Sequence, residues 1–190
     1  MDASNYHYPQ YIQRLGYLDK IKPFINQRLI KIIMGQRRVG KSYLMFQIID
    51  LIKQEQPKAN IIYINKESFV FDNIKDYKDL INYVDINKQK KTTTYLFIDE
   101  IQDIVDFEKA LRHLVLDEKM DIYCTGSNAN LLSGELATYL SGRYVEFKLY
   151  SLSYTEFLNF HDYKNNTESL KKYLLWGGLP FIKNLIKSKY

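Results

Sequence analysis

Eight consecutive residues near the start of the chain combine two glycines, a lysine and a serine at a spacing that suits phosphate. Residues 35–42 read GQRRVGKS and fit the pattern G-x-x-x-x-G-K-[ST]. In this pattern the backbone N–H groups of the loop and of the following helix face an anion, and the glycines let the chain approach it. Lys41 would reach the β- and γ-phosphates of a nucleotide, and Ser42 would bind Mg²⁺. We therefore expect the nucleotide to contact Gly35, Gln36, Arg37, Arg38, Val39, Gly40, Lys41, Ser42 and Tyr43.

The residues on either side of this loop have the patterns of a strand and a helix. Residues 29–34 are a short apolar, partly β-branched run, which is typical of a buried parallel strand. After the loop, apolar residues recur at helical spacing until Pro57 ends the pattern. A phosphate-binding loop needs this context of strand, glycine-rich turn and helix.

A pair of acidic residues follows a second apolar run, residues 95–98. Asp99 and Glu100 stand at the end of that predicted strand, which is the Walker B pattern. Asp99 would hold the Mg²⁺ shell, while Glu100 could orient or deprotonate an attacking water. Acids also follow strands in ordinary loops, but their position downstream of a phosphate-binding loop favours a metal ligand and a base.

Polar residues also end other predicted strands, and each has an ordinary explanation beside the functional one. Asn128, in the segment 125–128, could help contact a γ-phosphate and position water, or could simply form a turn with its Gly and Ser neighbours. Asn65 could hydrogen-bond Glu100 and hold it away from water, or could only end its strand. Arg143 could neutralise transition-state charge on a γ-phosphate, in its own site or a neighbour's, or could be a surface arginine.

Composition agrees with a nucleotide-binding domain. The 190 residues are 46% hydrophobic and 26% charged, enough to bury the core of one α/β domain. No apolar stretch approaches the length of a membrane span and the first residues lack a signal peptide's pattern, so we expect a cytoplasmic protein without a membrane partner. Cys124, the only cysteine, is expected to be a buried, inert thiol. The net charge of +5 permits contact with DNA without arguing for it.

Strand-like and helix-like patterns alternate along the chain. They predict an α/β fold, a three-layer α/β/α sandwich with a mainly parallel five-stranded sheet and the nucleotide at the carboxyl ends of the strands. After residue 150 the strands stop, a capping box at residues 153–156 opens one helix, and residues 169–176 have the pattern of another. The five predicted strands are residues 29–34, 60–65, 94–99, 121–125 and 144–149.

Four runs of the sequence together resemble a widespread group of prokaryotic AAA-type P-loop ATPases (AAA+/STAND-like): GQRRVGKS, LFIDEIQ, TGSNANLL and LATYLSGRYVEFKLYSLSYTEFL. The resemblance covers about residues 14–180. It implies that the first two runs are Walker A and Walker B, that the third holds sensor 1, where Asn128 stands, and that Arg143 is similar to an arginine finger. It also implies that residues 178–180, Gly-Leu-Pro, pack against adenine from a helical lid, with Pro180 as the contact.

The same resemblance implies how the protein is organised. Residues 1–150 would be the AAA-type ATPase core and residues 151–190 the beginning of a helical lid. Members of the group run about twice as long and continue into a C-terminal domain, so we expect this chain to be the N-terminal portion of a longer protein. A homo-oligomer through Arg143 is implied as well, whereas DNA is suggested only by analogy with that C-terminal domain. The chain departs from the wider superfamily in showing no obvious sensor 2 arginine, so lid-driven sensing is not expected here.

These observations predict a Mg²⁺-dependent ATPase that produces ADP and phosphate. We expect Lys41, Glu100, Asn128 and Arg143 to be catalytic, and Ser42 and Asp99 to bind the metal. Guanine is disfavoured because residues 65–68, NKES, lack the acid of the N-K-x-D motif. Two alternatives stay open: a P-loop small-molecule kinase, although residues 131–145 offer it a single arginine, and a nucleotide-dependent switch with negligible turnover.

Overall fold

Five parallel strands form one sheet in the computed structural model, which describes residues 11–126 and 139–181. Their order across the sheet is β2-β3-β4-β1-β5, and every neighbouring pair is parallel. This confirms the predicted α/β fold. The strands are β1 Ile30–Met34, β2 Asn60–Asn65, β3 Thr94–Asp99, β4 Met120–Gly126 and β5 Tyr144–Lys148.

Helices connect these strands and continue after the sheet. Among the described residues they are α1 Leu15–Ile21, α2 Lys41–Glu55, α3 Tyr77–Asn87, α4 Phe107–Leu114, α5 Tyr154–His161 and α6 Thr167–Trp176. None of these helices combines the length and the apolar character needed to cross a membrane. The division of the chain at residue 150 into a core and the start of a lid stays a prediction.

Helices cover both faces of the sheet because adjacent strand residues point to opposite sides. Ile32 and Leu96 belong to the core beneath α3 and α4, while their neighbours Ile33 and Phe97 belong to the core beneath α1 and α2. Strands buried on both faces read as continuous apolar runs, which is why the sequence reveals them. Cys124 is fully buried, as predicted, and burial raises the pKa of its thiol to about 12.

Side-chain caps fix where several helices begin. Asp76 opens α3, and Ser153 opens α5, each through a capping box in which cap and third residue hydrogen-bond to each other's backbone. The box at Ser153 and Glu156 confirms the prediction from sequence. Helix α2 begins differently, at a glycine with no side-chain cap hydrogen bond.

Candidate nucleotide-binding site

Gly35 opens the loop between β1 and α2, and it is glycine because another backbone passes against it. A Cβ at this position would stand 2.4 Å from the Leu149 carbonyl oxygen, far inside any normal contact. The Leu149 N–H in turn donates to the Met34 carbonyl at 2.6 Å. The close approach that Gly35 permits is therefore to the end of β5, which fixes the loop's entry.

Gly40 ends the loop and begins α2. Its φ is +97°, a left-handed conformation that favours glycine. Within the described residues, α2 has no side-chain cap hydrogen bond and no acidic residue in its first turn. Its first N–H groups are thus left to a ligand, and the helix dipole favours an anion there.

Lys41, the first residue of α2, places a buried cation beside the loop. Its Nζ lies 3.2 Å from the Gly35 carbonyl oxygen and 3.4 Å from Glu100 Oε1. The side chain is 4% exposed, so its charge acts at close range with little screening by water. The sequence motif on α2 and the acidic pair after β3 therefore meet at one edge of the sheet.

Asp99 is buried at the end of β3 and held by two hydroxyls. Tyr63 OH donates to Oδ2 at 3.0 Å, and Thr125 Oγ1 donates to Oδ1. The register explains this contact, because Ile98 pairs with Cys124 and so Thr125 follows beside Asp99. A carboxylate has about four lone-pair sites, so two remain for a metal or its water shell.

Glu100 follows in a left-handed conformation, with φ 57° and ψ 57°, which turns the chain sharply after β3. Its N–H donates to Thr125 Oγ1 at 3.0 Å, and its Oε2 accepts from Gln102 Nε2 at 2.6 Å. The sequence suggested Asn65 as the amide partner of Glu100. The structure instead shows the Asn65 Oδ1 accepting from the Glu67 N–H at 2.9 Å, which closes a turn after β2.

Arg14 joins the phosphate-binding loop to the helices beyond the sheet. Its guanidinium donates to the carbonyls of Val39 at 3.4 Å and Tyr150 at 2.9 Å, and to both carboxylate oxygens of Glu156 at 2.8 and 3.0 Å. Val39 belongs to the loop, Tyr150 follows β5, and Glu156 is in α5. Arg14 is only 7% exposed and Glu156 is 30% exposed, so the pair is shielded from solvent mainly on the arginine side.

Glu156 is ionised in this arrangement. Burial alone would raise the pKa of its carboxyl, but hydrogen bonds from Arg14 and from the Ser153 N–H outweigh burial and lower the pKa below its ordinary value. The charge pair with Arg14 is therefore complete at neutral pH.

The segment after α6 returns to the loop. The Leu152 N–H donates to the Gly178 carbonyl at 2.7 Å, and a Cβ on Gly178 would lie 2.3 Å from the Leu152 carbonyl oxygen. The Arg38 guanidinium stands 4.3 Å from the centre of the Phe181 ring. Pro180 is half-buried and precedes Phe181 in this segment, and its role at adenine stays a prediction.

Arg143 stands at the opposite end of the sheet from the loop. Tyr144, the next residue, pairs with Ile30, the first residue of β1, whereas the loop follows Met34, the last residue of β1. The four steps between them span about 13 Å along a strand. The exposed Arg143 side chain is therefore not brought to its own chain's loop. Asn128 lies outside the described residues.

Three residues have roles in the site that the sequence did not assign to them. Tyr63 and Thr125 hold Asp99, and Gln102 holds Glu100. The register of β3 with β2 and β4 would have predicted that Tyr63 and Thr125 lie beside Asp99. Tyr63 pairs with Phe97, and Cys124, which precedes Thr125, pairs with Ile98. No periodic signal marks Gln102, because it lies in the short 3-10 turn Ile101–Asp103.

The groups at this edge fit a nucleoside triphosphate with Mg²⁺. The buried lysine and the uncapped N–H groups at the start of α2 can bind phosphate. The loop glycine at φ +97° has no side chain that would obstruct the phosphate. Mg²⁺ is usually held by one or two carboxylates and the phosphates, with water completing its shell. Asp99 supplies such a carboxylate, and Ser42 supplies a hydroxyl in the first turn of α2.

Comparison with known proteins gives relatives of unassigned activity. An uncharacterized protein of Haemophilus influenzae is 42% identical over 179 residues, which cover 90% of this chain and 44% of that protein. An uncharacterized protein of Methanocaldococcus jannaschii is 37% identical over 164 residues, 80% of this chain and 36% of that protein. The chain thus spans less than half the length of these curated relatives.

Solved structures share the fold at low sequence identity. C. elegans PCH-2 superposes with a TM-score of 0.55 at 14% identity, covering 79% of this chain and 46% of that one. The Aeropyrum pernix ORC1 protein, solved in complex with DNA, gives a TM-score of 0.52 at 11% identity, covering 82% and 50%. The sequence profile of the AAA domain matches residues 27–158, well over half of the chain. The chain therefore belongs to the AAA domain family, an AAA-type P-loop ATPase domain by both its motifs and its fold.

Proposed function

We propose that this domain binds ATP with Mg²⁺, hydrolyses it to ADP and phosphate, and transmits the change to a partner or to a C-terminal effector domain. One observation carries the proposal: the loop lysine Lys41 and the acid Glu100 lie 3.4 Å apart beside the uncapped start of α2. Phosphate release from ATP by the wild-type chain, with and without Mg²⁺, tests it.

Binding of the triphosphate would exchange one partner of Lys41 for another. Its Nζ neighbours the Gly35 carbonyl and Glu100. The γ-phosphate offers the same cation a stronger, more highly charged acceptor. Lys41 would turn to the phosphates, and the N–H groups at the start of α2 would complete their cradle.

Ser42 and Asp99 would hold Mg²⁺, which neutralises the charge that develops on the β- and γ-phosphates. Tyr63 and Thr125 keep the Asp99 carboxylate in one orientation through their hydroxyls. Side chains that hold a metal-binding carboxylate in this way fix its orientation toward the metal without contacting the metal themselves.

Glu100 would act as the general base. Its carboxylate takes a proton from a water as the water oxygen bonds to the γ-phosphorus and the bond to the ADP oxygen breaks. Its position directly after β3, beside Asp99 and 3.4 Å from Lys41 Nζ, supports this role.

The nucleotide state would reach α5 and α6 through two contacts at the loop. Arg14 links the Val39 carbonyl to Glu156 of α5, and Arg38 stacks on Phe181 beyond α6. A shift of the loop on gain or loss of the γ-phosphate would therefore move both helices. We propose this as the route by which hydrolysis is coupled to conformation.

The segment from Gly177 onward is predicted to contribute to ATP affinity. Ending the chain at Trp176 removes Pro180, the Phe181 ring and the Gly178 carbonyl that accepts from Leu152, and loss of an apolar contact between Pro180 and adenine would weaken binding about tenfold. The sheet should survive, because its last strand ends at Lys148. Isothermal titration of ATP at fixed salt and Mg²⁺ measures the change, and Pro180→Ala isolates the contact with adenine. Equal affinity of the shortened and full chains would leave these residues as an interhelical turn only.

We further propose that Arg143 acts on the site of a neighbouring subunit. About 13 Å of strand separates its end of the sheet from its own loop, and its side chain is exposed. An arginine supplied in trans stabilises the charge of a phosphoryl-transfer transition state. Activity would then depend on assembly of the chain into an oligomer.

Mixing two inactive variants tests this arrangement. Arg143→Ala and Glu100→Gln should each be nearly inactive alone, while their mixture regains part of the hydrolysis, because some interfaces pair an intact arginine with an intact base. The rate per subunit of the wild type should also rise with protein concentration. A silent mixture, together with a rate per subunit that stays flat from nanomolar to high micromolar protein, would contradict action in trans.

A further inference from the structure

The carboxylate of Glu100 is held from two sides by two different elements. Its Oε1 lies 3.4 Å from Lys41 Nζ on α2, and its Oε2 accepts from Gln102 Nε2 at 2.6 Å in the 3-10 turn after β3. The two partners differ in what ATP does to them. Lys41 is drawn to phosphate, whereas Gln102 carries no charge and keeps its hydrogen bond.

Gln102 sits on a turn that packing holds in place. Ile101 and Ile104 on either side of it are buried in the core beneath α3 and α4, and the Asp103 and Ile104 N–H groups bond back to the Glu100 and Ile101 carbonyls at 3.2 and 3.0 Å. An amide presented from such a turn restrains its partner's position, because little of the turn can move.

The other end of the Gln102 amide is an acceptor for which no described residue supplies a donor. Its Oε1 is buried and accepts no hydrogen bond from any residue in the described ranges. A buried carbonyl in this situation is unfavourable unless a donor meets it. A water attacking beside Glu100 has two protons, one for the carboxylate and one for such an acceptor.

We propose that Gln102 is the positioning residue of the hydrolytic reaction. Its amide N–H group keeps the Glu100 carboxylate in place once Lys41 has turned to the phosphates. Its carbonyl oxygen accepts a hydrogen bond from the O–H of the attacking water that does not donate to Glu100. This role rests on the proposed ATPase function. The amide that contacts Glu100 is thus Gln102, two positions after the base, and its proposed task differs from the one considered for Asn65, which was to hold Glu100 away from water.

Two substitutions separate hydrogen bonding from packing. Gln102→Met keeps a side chain of similar length without the amide, and Gln102→Ala removes both. Each should lower kcat for ATP about 10- to 100-fold while leaving the Kd for a non-hydrolysable ATP analogue unchanged, because the residue acts only through Glu100 and water. Asp103→Ala is the matched control, since it changes an exposed side chain on the same turn and should keep the wild-type kcat.

Each outcome decides the proposal. Wild-type kcat in Gln102→Met would show that the side chain only fills space, and an unchanged or raised kcat in both variants would also overturn the role. Parallel losses of kcat, analogue affinity and melting temperature would indicate a structural residue instead. If wild type hydrolyses ATP and Glu100→Gln does not, failure of the Gln102 prediction leaves the proposed function standing. If wild type itself releases no phosphate, both fall together.

Discussion

Replacing Lys41 with alanine should weaken ATP binding about 10- to 100-fold. The Nζ is a buried cation next to the loop, 3.2 Å from the Gly35 carbonyl, and α2 begins there without a side-chain cap. A hydrogen bond to a charged group contributes roughly 1.5–3 kcal/mol, and each 1.4 kcal/mol changes affinity tenfold. Isothermal titration with ATP and Mg²⁺ measures the loss directly.

A charge-matched control makes the Lys41 result specific. Lys58→Ala removes an exposed lysine beyond the end of α2 and should bind ATP as the wild type does. Circular dichroism and melting temperature establish that Lys41→Ala is folded. Unchanged ATP affinity in folded Lys41→Ala protein would remove the phosphate-binding role of this loop.

Replacing Glu100 with glutamine should lower kcat about 10²- to 10⁴-fold, the usual contribution of a general base, while ATP still binds. The amide keeps the shape of the side chain but cannot accept the water's proton. Binding should become tighter, because Lys41 loses the carboxylate 3.4 Å away that competes with phosphate for its charge. Single-turnover hydrolysis and ATP titration on the same preparation give both quantities.

The control for Glu100→Gln is the same substitution at an exposed glutamate. Glu118→Gln changes an exposed residue that pairs with Arg28, far from the loop in the chain, and should leave both quantities unaltered. Glu100→Gln protein that hydrolyses at the wild-type rate, or that loses ATP binding, would contradict the assignment of this residue as the base.

Much of the fold could be predicted because the strands are buried on both faces. Residues 60–65 and 94–99 were expected as strands and form β2 and β3 with those bounds. Helix α1 was not expected, since it has only seven residues and Leu15 at its start is largely exposed. A short helix with a weak apolar stripe gives little periodic signal.

The site residues that belong to a single local motif could be predicted from the sequence. Contacts between segments that are distant in the chain could not. Lys41 and Asp99 follow from spacing and strand ends alone. The contact of Arg14 with Glu156 joins residues 142 positions apart, and no local pattern indicates it. Gln102 reaches Glu100 because the left-handed backbone conformation of Glu100 bends the chain back. This conformation is uncommon for a residue other than glycine, so the sequence does not predict it.

A single-turnover experiment with γ-labelled ATP distinguishes hydrolysis from nucleotide binding without turnover and from transfer of the phosphoryl group to an acceptor. With protein in excess and Mg²⁺ present, we expect the label to become inorganic phosphate, and we expect that chelating the Mg²⁺ or substituting Glu100→Gln stops its release. ATP recovered intact from a stable complex would instead indicate a switch without turnover, and label found on an added hydroxyl acceptor would indicate a kinase. Either of those results would contradict the proposal that this domain hydrolyses ATP.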